Sequence, residues 1–123
     1  MKQYNLLIVD DEQRFADMLA KRLNLRGCRC DVCYNGQQAL DLIGQKDFFL
    51  ILLDLHLPDI YGIEVLKRIK AISAQTPVVI LTGHGTSEDR RTCMQQGAYA
   101  FWNKPLGIEQ LMVILAQLGE MSP

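Results

Sequence analysis

Five polar side chains stand just after apolar runs in the sequence: Asp10, Asp11, Asp54, Thr82 and Lys104. Three carboxylates brought to one place repel each other, and a bound cation relieves that repulsion. Carboxylate and carbonyl oxygens are the ligands that Mg²⁺ prefers, and Mg²⁺ also binds phosphate oxygens. A carboxylate in such a site can act as a nucleophile and form an aspartyl phosphate. These residue types therefore indicate phosphoryl transfer.

The nucleophile in this interpretation is Asp54, which ends the most apolar run of the chain. The metal and the ammonium of Lys104 would neutralise the equatorial phosphoryl oxygens, and the hydroxyl of Thr82 would donate to one of them. Each residue also has a simpler interpretation. The pair at 10–11 suits a helix N-terminus, while a lysine is ordinarily solvated and a threonine ordinarily ends a strand. The joint placement of all five favours the phosphoryl site.

Strands and helices alternate along the chain. Apolar runs predict strands at Asn5–Val9, Cys28–Cys33, Phe48–Leu53, Val78–Leu81 and Ala100–Trp102. Helical spacing predicts helices at Gln13–Leu25, around residues 39–43, and at Ile63–Ile72, Ser87–Gln96 and Ile108–Leu118. This alternation indicates an α/β fold with a doubly wound parallel sheet, formed by one domain over residues 1–123. Such sheets bind ligands beyond the carboxyl ends of their strands, so the five polar side chains are expected to meet at one edge.

Composition restricts the remaining function classes. The chain has 123 residues, 49% apolar and 22% charged, which is typical of one soluble domain. Its net charge of −1 offers no basic field for nucleic acid or for an anionic membrane. No apolar run has the length of a membrane span, and charges interrupt the start MKQYNLLIVDDE at once, which argues against a signal peptide. A cytoplasmic location, with no direct contact to nucleic acid or membrane, is expected.

Three of the four cysteines lie close together, at Cys28, Cys30 and Cys33. Their spacing is not a repeated CxxC pair, and no histidine nearby completes a metal site. They are interpreted as small buried apolar side chains of a strand.

Four segments, taken in order and spacing, resemble the receiver domain of two-component response regulators: VDDE at Val9–Glu12, LLDLHLPDIYG at Leu52–Gly62, VVILTGHG at Val78–Gly85 and GAYAFWNKP at Gly97–Pro105. The likeness extends over residues 5–118. It implies a flavodoxin-like five-stranded sheet of order 2-1-3-4-5, with five helices on its two faces. It also implies a signalling phosphoacceptor rather than an enzyme, with only self-phosphorylation and slow self-dephosphorylation. The phosphoryl donor would be a sensor histidine kinase or a phosphotransfer protein, and the cofactor Mg²⁺, with Mn²⁺ also suitable.

The resemblance assigns the metal and acceptor roles by position. Asp54 resembles the phosphoacceptor, Asp11 a direct metal ligand, and Asp10 a ligand that acts largely through water. The backbone carbonyl of His56 would complete the protein's share of the metal shell.

The resemblance also assigns the lysine and the switch. Lys104 matches the lysine of the family's site, and its bond to Pro105 is expected to be cis. Thr82 and Phe101 match the two switch positions, where the hydroxyl moves towards the phosphoryl group and the ring fills the vacated space. This change would alter the surface of the fourth helix, fifth strand and fifth helix, which would act on an output domain or a partner and would also suit a homodimer. Plain core packing is the alternative for Phe101.

Two histidines, His56 and His84, stand two residues after Asp54 and Thr82. One interpretation makes them solvent-exposed loop side chains. The other places both beside the phosphoryl group and makes its lifetime pH-dependent, because an imidazole changes charge between about pH 5 and 8.

Three other classes of protein compete with the receiver. A haloacid-dehalogenase-like phosphatase needs an aspartate two residues after its nucleophile, where this chain has His56. A flavodoxin-like FMN domain needs a phosphate-binding loop after the first strand, where the acids at 10–12 would repel phosphate. A pseudo-receiver that only binds partners is disfavoured by the complete set of site residues. The chain is expected to be either a stand-alone receiver or the amino-terminal part of a longer regulator.

Overall fold

The computed structural model describes residues 3–121. Residues 1, 2, 122 and 123 of the predicted domain, including Lys2, lie outside the described residues. Five strands and five helices alternate within the described range: β1 Asn5–Val9, α1 Gln13–Asn24, β2 Arg29–Cys33, α2 Gly36–Ile43, β3 Leu50–Leu53, α3 Gly62–Ile72, β4 Val78–Thr82, α4 Ser87–Gln95, β5 Ala100–Asn103 and α5 Ile108–Met121. All strands pair in parallel, in the order β2-β1-β3-β4-β5. The predicted fold class is confirmed.

The central strands are apolar on both faces because helices cover both. Successive side chains of a strand point to opposite faces of the sheet. In β1, Leu7 and Val9 join the core cluster that includes residues of α2 and α3, whereas Leu6 and Ile8 join the cluster that includes residues of α1 and α5. Every residue of β3 and of β4 is buried. The strongest strand signal in the sequence therefore belongs to the strands at the centre of the sheet.

Helix α1 buries a narrower stripe than its sequence suggested. Its buried residues are Ala16, Leu19, Ala20 and Leu23. Met18 is 61% exposed, and Leu25, which lies just beyond the helix, is 79% exposed. Both side chains are apolar, but their positions fall outside the stripe that contacts the sheet. The observed helix ends at Asn24, one residue before the predicted end.

The cysteines are free thiols that pack as small apolar groups. Cys28, Cys33 and Cys93 are buried, and Cys30 is half-buried. Burial raises the pKa of the Cys33 thiol to about 11, with smaller contributions from neighbouring carboxylates. The thiol is therefore protonated at neutral pH, whereas a metal would require the thiolate. The interpretation as buried apolar side chains is confirmed for Cys28 and Cys33, but Cys28 lies just before β2, and Cys30, within β2, is half-buried.

Among residues 3–121, none of the helices combines the length and the apolar character needed to cross a membrane.

Candidate functional site

The carboxyl edge of the sheet holds the predicted site residues in register. The amide of Asp54, just past β3, donates to the carbonyl of Val9 over 2.9 Å. The amide of Lys104, just past β5, donates to the carbonyl of Thr82 over 2.9 Å. These bonds continue the ladders of the sheet one residue beyond the strands, so the side chains that follow are fixed relative to one another. The peptide bond from Lys104 to Pro105 is cis, the geometry that the resemblance implied.

Lys104 connects the acids of the site. Its Nζ lies 2.7 Å from Oδ2 of Asp10, 2.7 Å from Oε1 of Glu12 and 3.7 Å from Oδ2 of Asp54. The ammonium also lies 4.4 Å from the centre of the Phe15 ring, a favourable cation–π distance. One carboxylate oxygen from each of the three acids lies within 4.8 Å of the others. In this structure the lysine supplies the positive charge that such a cluster requires.

Burial and ion pairing have opposite effects on the pKa values of Asp10 and Lys104. The pKa of Asp10 is raised to about 6, because burial outweighs the opposing effects of Lys104 and of the amide of Glu12, which donates to Asp10 over 2.9 Å. Burial alone would lower the pKa of Lys104, but the carboxylates of Asp10 and Glu12 outweigh it, so that its pKa is raised. Both groups are consequently charged at neutral pH, and the ion pair between them is present there.

Asp54 lies at the bottom of the site. Only 5% of the residue is exposed, and its Oδ1 lies 3.5 Å from the amide nitrogen of His56. The site shields this carboxylate from bulk water, which strengthens its interactions with the charges around it. The position suits a nucleophile that reacts with a donor delivered to the edge of the sheet.

Glu12 is the acid that sequence reasoning left without a role. It stands in the VDDE segment, yet only the two aspartates were assigned to the metal. The turn after β1 brings the carboxylate of Glu12 to Lys104, whereas Asp11 is exposed and is not one of the three clustered acids. The sequence shows three successive acids, but it does not show in which direction each side chain points. Asp11 as a direct metal ligand stays a prediction.

The hydroxyl of Thr82 is an unpaired polar group inside the protein. Thr82 is 0% exposed, and among the described residues its Oγ1 has no hydrogen-bond partner. Leaving a buried hydroxyl unpaired costs roughly 1–3 kcal/mol. An acceptor atom arriving at the site, such as a phosphoryl oxygen, would give this donor its partner.

The aromatic ring of Phe101 packs in the core next to Thr82. Phe101 is only 5% exposed. A methyl group built on Gly85 would lie 2.5 Å from Cζ of Phe101 and 2.8 Å from Cγ2 of Thr82. The loop after β4 therefore contacts both predicted switch residues, and Gly85 leaves them the space they occupy.

Thr82→Val is expected to stabilise the phosphate-free protein by about 1 kcal/mol, because it replaces an unpaired buried hydroxyl with a methyl group of similar shape. Urea denaturation measures the change. Thr86→Val is the matched control, since the Thr86 side chain accepts a hydrogen bond from the amide of Asp89 over 3.0 Å at the start of α4. The control should lose about 1 kcal/mol. Equal destabilisation of both variants would contradict the unpaired state of Thr82.

The two histidines lie in the loops after β3 and β4, and both are exposed. Nε2 of His56 lies 3.4 Å from the carbonyl oxygen of His84, and the ring centroids are 6.4 Å apart. The interpretation of both as exposed loop side chains is confirmed. Their effect on the lifetime of a phosphoryl group stays a prediction.

The order of the sheet, with an acidic cluster, a buried hydroxyl and a lysine at its carboxyl edge, defines an α/β protein of the receiver class. The family model described as the response regulator receiver domain matches residues 6–116, so the chain belongs to that family. It is therefore a domain of two-component signalling.

Relatives and solved structures of response regulators are similar to this chain in sequence and fold. The uncharacterised transcriptional regulatory protein YkoG of Bacillus subtilis is 36% identical over 112 residues, which are 91% of this chain and 49% of the relative. The chain thus spans about half the length of that relative. A CheY-like receiver domain protein from Methanospirillum hungatei matches with a TM-score of 0.91 at 24% identity, over 98% of this chain and 100% of the other, and supports the fold. A response regulator from Burkholderia pseudomallei, solved with a phosphorylated aspartic acid, calcium ion and citrate, matches with a TM-score of 0.87 at 28% identity, over 96% and 70% of the two chains.

Proposed function

We propose that Asp54 accepts a phosphoryl group from a sensor histidine kinase or a phosphotransfer protein in a Mg²⁺-dependent reaction. The observation that carries this proposal is the meeting of three features at one edge of the sheet. These are the buried carboxylate of Asp54, the ammonium of Lys104 3.7 Å from it, and the unpaired hydroxyl of Thr82. They correspond to a nucleophile, a counter-charge and a hydrogen-bond donor for phosphoryl oxygens.

The donor set at this edge fits Mg²⁺. The clustered ligand atoms are carboxylate oxygens, which hard cations such as Mg²⁺ and Mn²⁺ prefer. By resemblance to the family, we assign the metal to the carboxylates of Asp10, Asp11 and Asp54 and to the backbone carbonyl of His56. Asp10 and Asp54 belong to the observed cluster, whereas Asp11 does not. When bound, the cation neutralises negative charge on the phosphoryl oxygens. The Burkholderia response regulator contains a phosphorylated aspartic acid and a calcium ion, and this similar protein supports the proposal of an aspartyl phosphate and a divalent cation.

The transfer step follows from the positions of the chain's own groups. A carboxylate oxygen of Asp54 forms the new bond to phosphorus as the bond between phosphorus and the donor's imidazole nitrogen breaks. The leaving imidazole retains the electron pair of that bond and takes up a proton. Lys104 neutralises the developing charge with an ammonium that the carboxylates of Asp10 and Glu12 hold near the site.

The structural response to phosphorylation begins at Thr82 in this proposal. Its hydroxyl gains a partner when it donates to a phosphoryl oxygen, and the Phe101 ring, which packs next to it, adjusts to the move. Nη1 of Arg90 in α4 donates to the carbonyl of Phe101 over 3.4 Å, which connects α4 with β5. A change at the switch residues would consequently reach the surface of α4, β5 and α5. That surface would act on an output domain or a partner, and a homodimer is an alternative use of it.

We assign no catalytic turnover of other molecules to the chain, beyond self-phosphorylation and slow self-dephosphorylation. Asp54 has no second acid two residues later, because His56 stands there. The leaving group of a phosphate ester would lack the proton donor that a dehalogenase-like phosphatase supplies.

Mg²⁺ is expected to change the fluorescence of Trp102, the only tryptophan, which lies half-buried two residues before Lys104. Beryllofluoride, a mimic of the phosphoryl group, should give a further change only when Mg²⁺ is present, because both act on the carboxylate of Asp54. A titration with NaCl at matched ionic strength controls for screening. If neither fluorescence nor calorimetry detects a response to Mg²⁺, the proposed function fails.

A further inference from the structure

The loop between β3 and α3 carries Asp54 at its start and is folded back on itself at its end. The amide of Gly62 donates to the carbonyl of Leu55 over 2.8 Å. Gly62 contacts the loop so closely that a methyl group built on it would lie 2.6 Å from the carbonyl oxygen of Asp54. These contacts fix the base of the loop next to the acceptor.

The far side of the same loop is attached to helix α2 through one carboxylate. Oδ1 of Asp59 accepts from the amide of Gly36 over 2.8 Å and from the amide of Ile60 over 2.9 Å. Oδ2 accepts from the amide of Gln37 over 2.9 Å. Gly36 and Gln37 begin α2, where backbone amides lack partners within the helix and carry partial positive charge. Burial is the largest single effect on the Asp59 carboxylate and opposes its ionisation, but the backbone amides together outweigh it and lower its pKa.

Helix α2 already has a cap of its own. The side chain of Asn35 accepts from the amide of Gln38 over 2.9 Å at the start of the helix. Asp59 comes from a segment 23 residues further along the chain than Gly36. Its carboxylate therefore joins two separate parts of the fold, in addition to satisfying the helix amides. The loop and the start of α2 also approach each other closely, since a methyl group built on Gly36 would lie 3.2 Å from Cβ of Ile60.

Between these two attachments, the hydrogen bonds of the loop near the acceptor are long. The amide of His56 lies 3.5 Å from Oδ1 of Asp54, and the His56 ring lies 3.4 Å from the carbonyl oxygen of His84. Both distances are at the long limit of hydrogen bonding. The His56 carbonyl is therefore held by the attachments of the loop at Gly62 and at Asp59 and by the neighbouring Leu57, which packs against the core.

We propose that Asp59 is a positioning residue for the phosphoacceptor site, which holds the β3–α3 loop against α2 and thereby keeps the His56 carbonyl in place beside Asp54. The inference rests on the proposed function of that site. Without the attachment, ordering the loop would oppose metal binding, because the conformational freedom of the loop would be lost at that step. Residues that orient metal ligands from outside typically change metal affinity by about 10–100-fold.

Two variants distinguish a positioning role of Asp59 from a purely stabilising one, because both remove hydrogen bonds at the start of α2. Asp59→Ala removes the bonds to α2 and releases the loop, whereas Asn35→Ala removes a bond to α2 and leaves the loop attached. Both should lower the melting temperature. Only Asp59→Ala should weaken Mg²⁺ binding, by about tenfold, as measured by calorimetry on the folded protein. Its rate of phosphorylation by acetyl phosphate should fall when Mg²⁺ is subsaturating and recover when Mg²⁺ is saturating.

Asp59→Asn provides a graded version of the test. Its single acceptor oxygen retains the bonds to Gly36 and Ile60, but its amide group faces the amide of Gln37, so the Mg²⁺ affinity should lie between those of wild type and Asp59→Ala. If wild type binds Mg²⁺ and the Asp59 variants match the affinity of Asn35→Ala, the inference is wrong and the proposed function stands. If wild type takes up no Mg²⁺, the proposed function fails and the inference fails with it.

Discussion

Asp54→Asn is expected to take up no phosphoryl group from acetyl phosphate and Mg²⁺, under conditions in which the wild-type protein gains one. An amide oxygen is a much poorer nucleophile than a carboxylate oxygen, and asparagine has nearly the same shape as aspartate. The variant should therefore fold normally while losing the reaction. Its stability should change little, because the neutral amide loses both the attraction to Lys104 and the repulsion from the carboxylate of Asp10. Intact-mass spectrometry measures the phosphoryl group, and urea denaturation measures the stability.

Asp47→Asn is the matched control for this experiment. Asp47 is an exposed aspartate that precedes β3, at the opposite edge of the sheet from Asp54. It should accept one phosphoryl group as wild type does. Uptake by Asp54→Asn at the wild-type level would show that another residue is the acceptor, and the assignment of Asp54 would then be wrong.

The sequence predicted the fold well because the determining signals are local. A strand covered by helices on both faces must be apolar at every position, and β3 and β4 show this in the sequence itself. The helix ends that a glycine follows were also predicted closely, since α2 ends just before Gly44 and α4 ends two residues before Gly97. The start of α2 and the end of α5 were each missed by three residues. The burial of individual helical residues was less predictable. Met18 has a core-like side chain, but only the tertiary packing decides which stripe of α1 contacts the sheet.

The candidate site was likewise predictable only in part from the sequence. The placement of Asp54, Thr82 and Lys104 followed from their strands, because parallel strands end at one edge of the sheet. The contact of Lys104 with Glu12 joins residues 92 positions apart, and no local pattern reports it. The attachment of Asp59 to α2 depends likewise on side-chain direction and on the approach of two distant segments. The sequence pattern therefore indicated the site residues that directly follow strands. It assigned no role to Glu12 and Asp59, whose side chains make their contacts from turns.

Gly62→Ala is expected to destabilise the protein by about 3 kcal/mol, because the added methyl group would meet backbone atoms that cannot move independently. The methyl group would lie 2.6 Å from the carbonyl oxygen of Asp54 and closer still to the Cα of Leu55. The loss does not depend on a special backbone angle, since the positive-φ glycines among the described residues are Gly27 and Gly97. Urea denaturation measures the free energy of unfolding.

Gly44→Ala is the control, because a methyl group there would make only ordinary contacts, the nearest at 3.5 Å to the carbonyl oxygen of Asp41. Its backbone φ of −72° suits any residue, so the free energy of unfolding should change by less than about 1 kcal/mol.

Relief of the overlap at Gly62 requires the β3–α3 loop to move away from α3, and that movement would displace the Asp54 carbonyl. Phosphorylation should therefore fall in the folded fraction of Gly62→Ala and remain normal in Gly44→Ala. A Gly62→Ala protein with wild-type stability and phosphorylation would show that the loop tolerates movement at its base, and the close packing at Gly62 would then have no part in positioning the acceptor.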